Sequence, residues 1–210
     1  MSKIQEVATA VERGKSKKVA GLVQEALDSG ATAPEILNAM IDSMTVVGDK
    51  FTKNEIFVPE MLVAARAMQK GVEVLKPLLV GDNAVSAGKM IMGTVAGDLH
   101  DIGKNLVIMM LESAGFEVID LGVDVPPAKF VEAIKANPDC KLVGLSALLT
   151  TTMPAMKDTV AAITEVGCRS QVKIMVGGAP ITQAFCGEIG ADAYTADAAS
   201  ASSVAKELVA

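Results

Sequence analysis

Aromatic residues are scarce in this sequence of 210 residues, which contains no tryptophan, one tyrosine and five phenylalanines. The core must therefore be built from Val, Leu, Ile, Ala and the twelve methionines. No apolar run reaches the roughly 18 residues that a membrane-spanning helix needs, and the first residues, MSKIQEV, lack the pattern of a secretory signal. These absences predict a cytoplasmic protein with no membrane partner.

Cysteine and basic charge are limited as well. The three cysteines, Cys140, Cys168 and Cys186, are odd in number and widely separated, which fits neither a disulfide framework nor a zinc site. The net charge is −6 and no basic run offsets it, which argues against a nucleic-acid partner. Half of the residues are apolar and 21% are charged, a balance that predicts a well-buried core.

The first 80 residues carry apolar side chains at the i, i+3, i+4 spacing of amphipathic helices. Four such segments with short connections predict a small helical bundle. The third segment opens at TAPEIL, where Thr32 is suited to the N-cap and Pro34 to the first turn. The fourth is predicted to begin near Pro59.

From Lys89 onward, short apolar runs alternate with amphipathic segments, which is typical of βα units. Runs that are apolar on both faces predict a parallel sheet covered by helices on each side. The predicted strands are 90–96, 116–120, 142–148, 173–177 and 192–196, and the predicted helices are about 102–114, 127–136, 154–166, 181–189 and 198–208.

The sequence therefore predicts an α/β protein with two domains. A four-helix bundle cap occupies residues 1–80, a small polar linker 81–88, and a doubly wound, flavodoxin-like domain 89–210. Five βα units most often adopt the strand order 2-1-3-4-5, which places a ligand crevice at the carboxyl ends of strands 1 and 3.

Three short patterns lie at the ends of predicted strands in this second domain. They are Asp98-x-His100-x-x-Gly103, Ser146-x-Leu148 and Gly177-Gly178. The first two flank the expected crevice, and His100 is the only histidine of the chain. Histidine is the commonest neutral nitrogen ligand of transition metals, and a nearby carboxylate usually fixes its tautomer. A lone histidine is more often structural, so the combination of patterns carries the metal prediction.

In this order, the three patterns resemble the cobalamin-binding module of methionine synthase and of corrinoid methyl-carrier proteins. The segments VVGDKFTKNEIFVPEM and AARAMQKGVEVLKP resemble the helical cap that precedes that module. The resemblance implies that cobalamin binds with its own benzimidazole displaced and with His100 as the lower ligand of cobalt. It makes Asp98 the partner of that histidine and Thr152 the third member of the group, where methionine synthase has serine.

The resemblance also implies the other cofactor contacts. No glutamate of the cap is assigned to the cofactor. The structural alternatives are that Phe51 and Val58 belong to the bundle core, that Asp101 complements the dipole of the next helix, and that Thr150 to Thr152 form a helix cap. The implied contacts are Gly97, Leu99, Asp101, Ile102 and Gly103 below the corrin, Ser146, Leu148, Thr150, Gly177, Gly178, Tyr194 and Ala198 along the nucleotide tail, and Phe51 and Val58 above the ring.

The function implied is that of a corrinoid protein that carries a methyl group, as methylcobalamin, from a donor-specific methyltransferase to a second methyltransferase. The acceptor would be tetrahydrofolate or a thiol, and a reductive activator would be a further partner. No activity is expected of the chain alone, because only the cap and cobalamin modules are recognisable. The sequence does not distinguish among the possible methyl donors, which are methanol, methylamines, methoxylated aromatics and quaternary amines.

Two alternatives share the cobalamin motif. A cobalamin-binding subunit of an adenosylcobalamin mutase would carry the same loop but normally lacks this type of helical cap. A cobalamin sensor or repressor would need a basic helix that reads DNA, whereas residues 1–82 contain ten Lys or Arg against eleven Asp or Glu.

Overall fold

Four amphipathic helices build the amino-terminal part of the chain. The computed structural model describes residues 2–78 and 87–210, and the helices pack as α1 against α2 and α3, and α4 against α2 and α3. Their buried stripes are aliphatic and methionine-rich, as the shortage of aromatics requires. The predicted bundle is therefore confirmed. The helices are α1 (Lys3–Glu12), α2 (Ser16–Asp28), α3 (Ala33–Thr52) and α4 (Val58–Leu75).

The third helix begins with the capping residue that the sequence indicated. The Thr32 hydroxyl accepts a hydrogen bond from the backbone N–H of Glu35, and the Glu35 carboxylate accepts one from the backbone N–H of Thr32 at 2.9 Å. This reciprocal pair satisfies two of the N–H groups that a helix start leaves without partners. The predicted N-cap is confirmed, and the fourth helix begins at Val58, one residue before Pro59.

The second unit is built on a sheet of five parallel strands. Their spatial order is β2-β1-β3-β4-β5, so the predicted topology is confirmed. The strands are β1 (Gly88–Thr94), β2 (Phe116–Asp120), β3 (Cys140–Ser146), β4 (Lys173–Gly177) and β5 (Ala193–Thr195).

Two strands lie earlier in the chain than predicted. Both β1 and β3 begin and end two residues before the ranges 90–96 and 142–148. The apolar runs continue into the following loops, where Val95 and Ala147 are fully buried although they belong to no strand. The apolar runs in the sequence therefore extend beyond the carboxyl ends of the two strands.

Helices alternate with the strands along this unit. Side chains from α6, α7 and α8 form one apolar cluster with Ile91, Val143, Leu145 and Ile174 of the sheet. Helix α9 contacts β3 and β5. The helices are α5 (Ile102–Ser113), α6 (Pro127–Ala136), α7 (Met153–Glu165), α8 (Gln183–Ile189) and α9 (Ala198–Val209).

The chain divides into two compact units, one helical and one built on the sheet. The predicted linker 81–88 lies, except for residues 87 and 88, outside the described residues, and the domain boundaries at 80 and 89 stay predictions. Among residues 2–78 and 87–210, no helix combines the length and the apolar character that crossing a bilayer requires.

Candidate functional site

The loops that follow β1, β2 and β3 are joined by backbone hydrogen bonds at the carboxyl edge of the sheet. The N–H of Thr94 donates to the carbonyl of Gly122, and the N–H of Val125 donates to the carbonyl of Thr94, both at 3.0 Å. On the other side of β1, the N–H of Val95 donates to the carbonyl of Ser146 at 3.0 Å. The strand after β1 in the chain, β2, lies on one side of β1, and the next strand, β3, lies on the other side. Open α/β sheets bind ligands at the carboxyl ends of the strands where the order reverses in this way.

A buried carboxylate, Asp98, organises this edge. Its Oδ1 lies 2.7 Å from Nδ1 of His100 and accepts a hydrogen bond from the backbone N–H of His100 at 3.1 Å. Its Oδ2 accepts from the backbone N–H groups of Leu148 at 2.7 Å and Leu149 at 3.3 Å, and from the Thr152 hydroxyl at 2.8 Å. The structure thus brings together the three residues that the resemblance grouped. The Thr152 side chain makes no capping hydrogen bond to α7, which leaves the helix-cap alternative unsupported for this residue.

The surroundings of Asp98 favour its ionised form. Burial by itself would raise the pKa of this carboxyl group, but the hydrogen bonds from Leu148, Thr152 and His100 outweigh it and hold the pKa well below its usual range. An ionised carboxylate only accepts hydrogen bonds, so Nδ1 of His100 must carry a proton. In the neutral ring the lone pair therefore lies on Nε2.

The Nε2 atom of His100 is available to a metal. The side chain is 51% exposed, and within residues 2–78 and 87–210 no group forms a hydrogen bond with Nε2. In the same part of the chain, no three His, Cys, Asp or Glu side chains are grouped so that they could hold a metal ion. A single imidazole with no protein co-ligand suits a metal whose other ligands come from a macrocycle, so this donor fits a corrinoid.

Several residues near His100 are small or apolar and open to solvent. Leu99 and Ile102 are 71% and 78% exposed, and a side chain at Gly103 would meet no atom within 4 Å. The next two loops add exposed Val123, Leu148 and Leu149. Exposed apolar side chains on three adjacent loops are suited to a broad apolar ligand.

Asp101 and Gly97 also lie on the exposed β1–α5 loop. The carbonyl of Asp101 accepts from the N–H of Asn105 at 2.8 Å, and its carboxylate accepts from the Asn105 amide at 3.2 Å. These contacts support a structural role for Asp101 at the start of α5. Contacts of Gly97 and Asp101 with a cofactor stay predictions.

Gly178 is required by the chain itself. Its φ of +127° is strained for any other residue, and a Cβ at this position would overlap the backbone carbonyl of Ala147. Gly177 ends β4, and its carbonyl accepts from the N–H of Ala147 at 3.2 Å. The close approach that the sequence assigned to a ligand is thus made, at Gly178, by the loop after β3.

The other residues predicted along the nucleotide tail lie farther along the same edge. Ser146 ends β3 and is half-buried, and Thr150 is exposed in a short 3-10 turn. Tyr194 in β5 packs against the core, and Ala198 is the buried first residue of α9. Because β5 lies three strands from β1, the structure places Tyr194 about 14 Å across the sheet from the strand that leads to His100.

The two residues predicted to cover the cofactor belong to the helical unit. Phe51 is half-buried near the end of α3, and Val58 is the exposed first residue of α4. The intervening Phe57 is 63% exposed, while Met44 is buried in the bundle. The exposure of Val58 does not support the bundle-core alternative for that residue. The contacts of Phe51 and Val58 with a cofactor stay predictions.

Sequence reasoning missed four side chains that support this edge, those of Thr94, Lys104, Asp120 and Asp124. Thr94 donates to the carbonyl of His100, Lys104 donates to both carboxylate oxygens of Asp120 at 2.8 and 2.7 Å, and Asp124 accepts from the N–H of Gly97 at 2.7 Å. Two of them could have been found from the sequence, because Thr94 and Asp120 are polar residues at the ends of the apolar strands MIMGT and FEVID.

Comparison with known proteins identifies the family. Residues 88–203 and residues 3–76 each match a family described as a B12 binding domain. Dimethylamine corrinoid protein 1 of Methanosarcina acetivorans is 45% identical over 209 residues, which cover 99% of this chain and 97% of the relative.

Two solved structures are similar over nearly the whole chain. A cobalamin-binding protein from Desulfitobacterium hafniense DCB-2 matches with a TM-score of 0.82 and 32% identity, covering 99% of this chain and 98% of that one. A chain of the methanol:cobalamin methyltransferase complex MtaBC from Methanosarcina barkeri matches with a TM-score of 0.87 and 29% identity. The match covers 99% of this chain and 79% of that one. This chain, with its two B12-binding regions, belongs to the corrinoid proteins of methyltransferase systems.

Proposed function

We propose that this chain carries a methyl group, on a bound corrinoid, from a methylamine-specific methyltransferase to a second methyltransferase. The observation that carries the proposal is the Asp98–His100 pair, in which the buried carboxylate fixes Nδ1 and leaves Nε2 open. A bound corrinoid would supply the cobalt atom on which the methyl group travels. The chain holds and orients that group, and the partner enzymes select donor and acceptor.

Asp98 orients the imidazole in this proposal. Its Oδ1, 2.7 Å from Nδ1 of His100, keeps the proton of the neutral ring on Nδ1, so that Nε2 would be free to bind the cobalt of a corrinoid. The same hydrogen bond fixes the orientation of the ring.

A first experiment tests the ligand with selective labelling. Since His100 is the only histidine, protein grown with ¹⁵N-histidine carries the label at this residue alone. After reconstitution with cobalamin and reduction to cobalt(II), we expect the axial nitrogen to split each cobalt EPR line into three in unlabelled protein and two in labelled protein. If labelling changed nothing, the nitrogen would belong to the cofactor's benzimidazole and the proposal would fail.

A variant completes this test. His100→Gly should lose the nitrogen splitting of the protein ligand and shift the visible spectrum, while the far-ultraviolet circular dichroism stays that of the parent. His100 is half exposed, so its removal leaves no large cavity. Asp139→Asn, an exposed carboxylate that is assigned no contact with the cofactor, is the control and should keep the parental spectrum.

The name of the 45% identical relative supports dimethylamine as the first donor to test. Reconstituted protein in the cobalt(I) state should be methylated faster with dimethylamine and its methyltransferase than with methanol and its methyltransferase. Faster methylation from methanol would contradict this assignment. A tetrahydrofolate-dependent and a thiol-dependent second methyltransferase, supplied in turn, would identify the acceptor.

The match of residues 3–76 to a B12 binding domain and the 45% identity to a dimethylamine corrinoid protein support methyl transfer over the mutase alternative, which is expected to lack this helical cap. The upper ligand of the cofactor in protein isolated from its source decides between them. Methyl is expected, and adenosyl would favour the mutase.

A further inference from the structure

A second buried side chain, that of Thr94, bonds the same histidine at its backbone carbonyl. Thr94 is the last residue of β1 and is fully buried. Its hydroxyl donates a hydrogen bond to the backbone carbonyl of His100 at 2.8 Å. This bond spans the whole β1–α5 loop and connects the end of the strand directly to the residue whose ring is open to a ligand.

Thr94 is itself fixed from both sides of its strand. Its N–H and carbonyl bond the loop after β2, and it pairs in register with Ser146 of β3. A residue held by both neighbouring strands of a parallel sheet has little freedom to move. The Thr94 hydroxyl is therefore a rigid reference point for the loop.

Two buried residues together define where His100 lies. Asp98 accepts from the backbone N–H and from Nδ1 of His100, while Thr94 donates to its carbonyl. The backbone of His100 is thus held at both of its polar groups, and the ring is held at one nitrogen. With these three points fixed, Nε2 has a defined direction.

We propose that Thr94 is a positioning residue that sets the direction of the His100 imidazole by holding the carbonyl of the same residue. The inference rests on the proposed function in one respect, because the ring is taken to be the corrinoid ligand. Without the Thr94 hydroxyl, the loop would keep its attachment through Asp98 but lose the one at the His100 carbonyl, and the ring would sample a wider range of directions.

Three variants separate positioning from stability. Thr94→Val removes the hydroxyl at nearly constant size, and Thr94→Ser keeps it. Thr159→Val is the matched control, because Thr159 is equally buried in the same unit and its hydroxyl donates to the carbonyl of Ala155 at 2.8 Å, within α7. Both valine variants lose one buried hydroxyl bond. Thr159→Val should lose less stability to urea, because the Ala155 carbonyl keeps its helical N–H partner.

The first readout needs no cofactor. Since the chain has a single histidine, one set of imidazole NMR signals reports on His100 alone. In the apo-protein, Thr94→Val should shift or broaden these signals, and Thr94→Ser and Thr159→Val should leave them as in the parent. Unchanged signals in Thr94→Val, or equal changes in both valine variants, would overturn the proposal.

The second readout uses cobalamin. Thr94→Val should weaken cobalamin binding about three- to tenfold, as expected for one hydrogen bond, and should reduce the fraction showing the ¹⁵N-histidine splitting. Thr94→Ser should restore both, and an unrestored serine variant would contradict a hydroxyl role. If the parent itself showed no histidine splitting, the proposed function would fail, while the apo-protein signals would still decide the role of Thr94.

Discussion

Replacing Asp98 with asparagine keeps the shape of the side chain and removes its charge, so it tests how the site depends on a carboxylate. Five hydrogen-bonding contacts reach the two oxygens, and the groups around them are donors. Asparagine has only one oxygen, and its NH₂ group must face some of these donors. If the NH₂ group took the position of Oδ2, it would face the N–H groups of Leu148 and Leu149, and a backbone N–H cannot accept a hydrogen bond.

The less costly orientation places the NH₂ group at the position of Oδ1. One backbone N–H, that of His100, then loses its acceptor, and the ring must accept through Nδ1 and carry its proton on Nε2. An unpaired buried N–H costs about 1 to 3 kcal/mol, and the remaining bonds lose charge assistance. Relief from burying a charge offsets part of this loss. We expect the free energy of unfolding to fall by about 2 kcal/mol.

The assay combines urea unfolding, followed by circular dichroism at pH 7, with the EPR spectrum of the ¹⁵N-histidine protein. Asp98→Asn should unfold at lower urea and lose the histidine splitting, because the lone pair has moved from Nε2 to Nδ1. Asp139→Asn is the control. The Asp139 side chain is 64% exposed and its pair with Lys89 is at the surface, so its loss should lower the free energy of unfolding much less than the loss of the Asp98 charge. Retained splitting in Asp98→Asn would refute the tautomer argument.

The effect of Asp98 on stability should also depend on pH in a defined direction. In the folded protein the pKa of Asp98 is held well below its usual range, whereas the unfolded chain titrates near about 3.9. The stabilisation is therefore complete above that pH and is lost as the pH falls toward the folded-state pKa. The difference between the parent and Asp98→Asn should shrink below about pH 4, and a difference that grew on acidification would contradict the assignment.

Two further predictions concern residues away from the ligand. Gly178→Ala should lower the free energy of unfolding by about 3 kcal/mol or more, because its Cβ would overlap the Ala147 carbonyl at a strained φ. Gly187→Ala is the control, because a Cβ there meets nothing within 4 Å, and it should be neutral or slightly stabilising in the same urea assay. The three cysteines are buried, and burial raises the pKa of Cys140 and Cys186, so the native protein should not react with a disulfide reagent at pH 7. Reaction before unfolding would contradict their burial.

The fold could be predicted from the sequence because its signals are periodic. Stripes such as Val19, Val23 and Ala26 occur at helical spacing, and the strands are short apolar runs between turns. The strand ends were less predictable, since Val95 and Ala147 are buried like strand residues and their N–H groups still bond the last residues of β3 and β4, yet both lie just beyond their own strands. A sequence records apolar character, whereas a strand end depends on which backbone groups are paired.

The site was predictable only where side chains carry the chemistry. Asp98, His100 and Thr152 could be identified from motifs, because carboxylate, imidazole and hydroxyl groups are visible in a sequence. The backbone N–H groups of Leu148 and Leu149 donate to Asp98. Every residue except proline has such a group, so the sequence does not indicate these two hydrogen bonds. The bond from Thr94 to a carbonyl six residues away depends on how the loop folds back, which periodicity does not report.

Thr152 shows how a substitution within a motif can keep a hydrogen bond. Methionine synthase has serine at the corresponding position, and threonine adds a methyl group beside the hydroxyl. Here Oγ1 remains 2.8 Å from Asp98, while the methyl carbon Cγ2 lies toward Gly97, 3.6 Å from where a Cβ of that residue would be. The glycine, whose φ of +80° already disfavours other residues, leaves room for the methyl group at ordinary van der Waals distance. The hydroxyl bond to the carboxylate therefore survives without displacing the loop that carries His100.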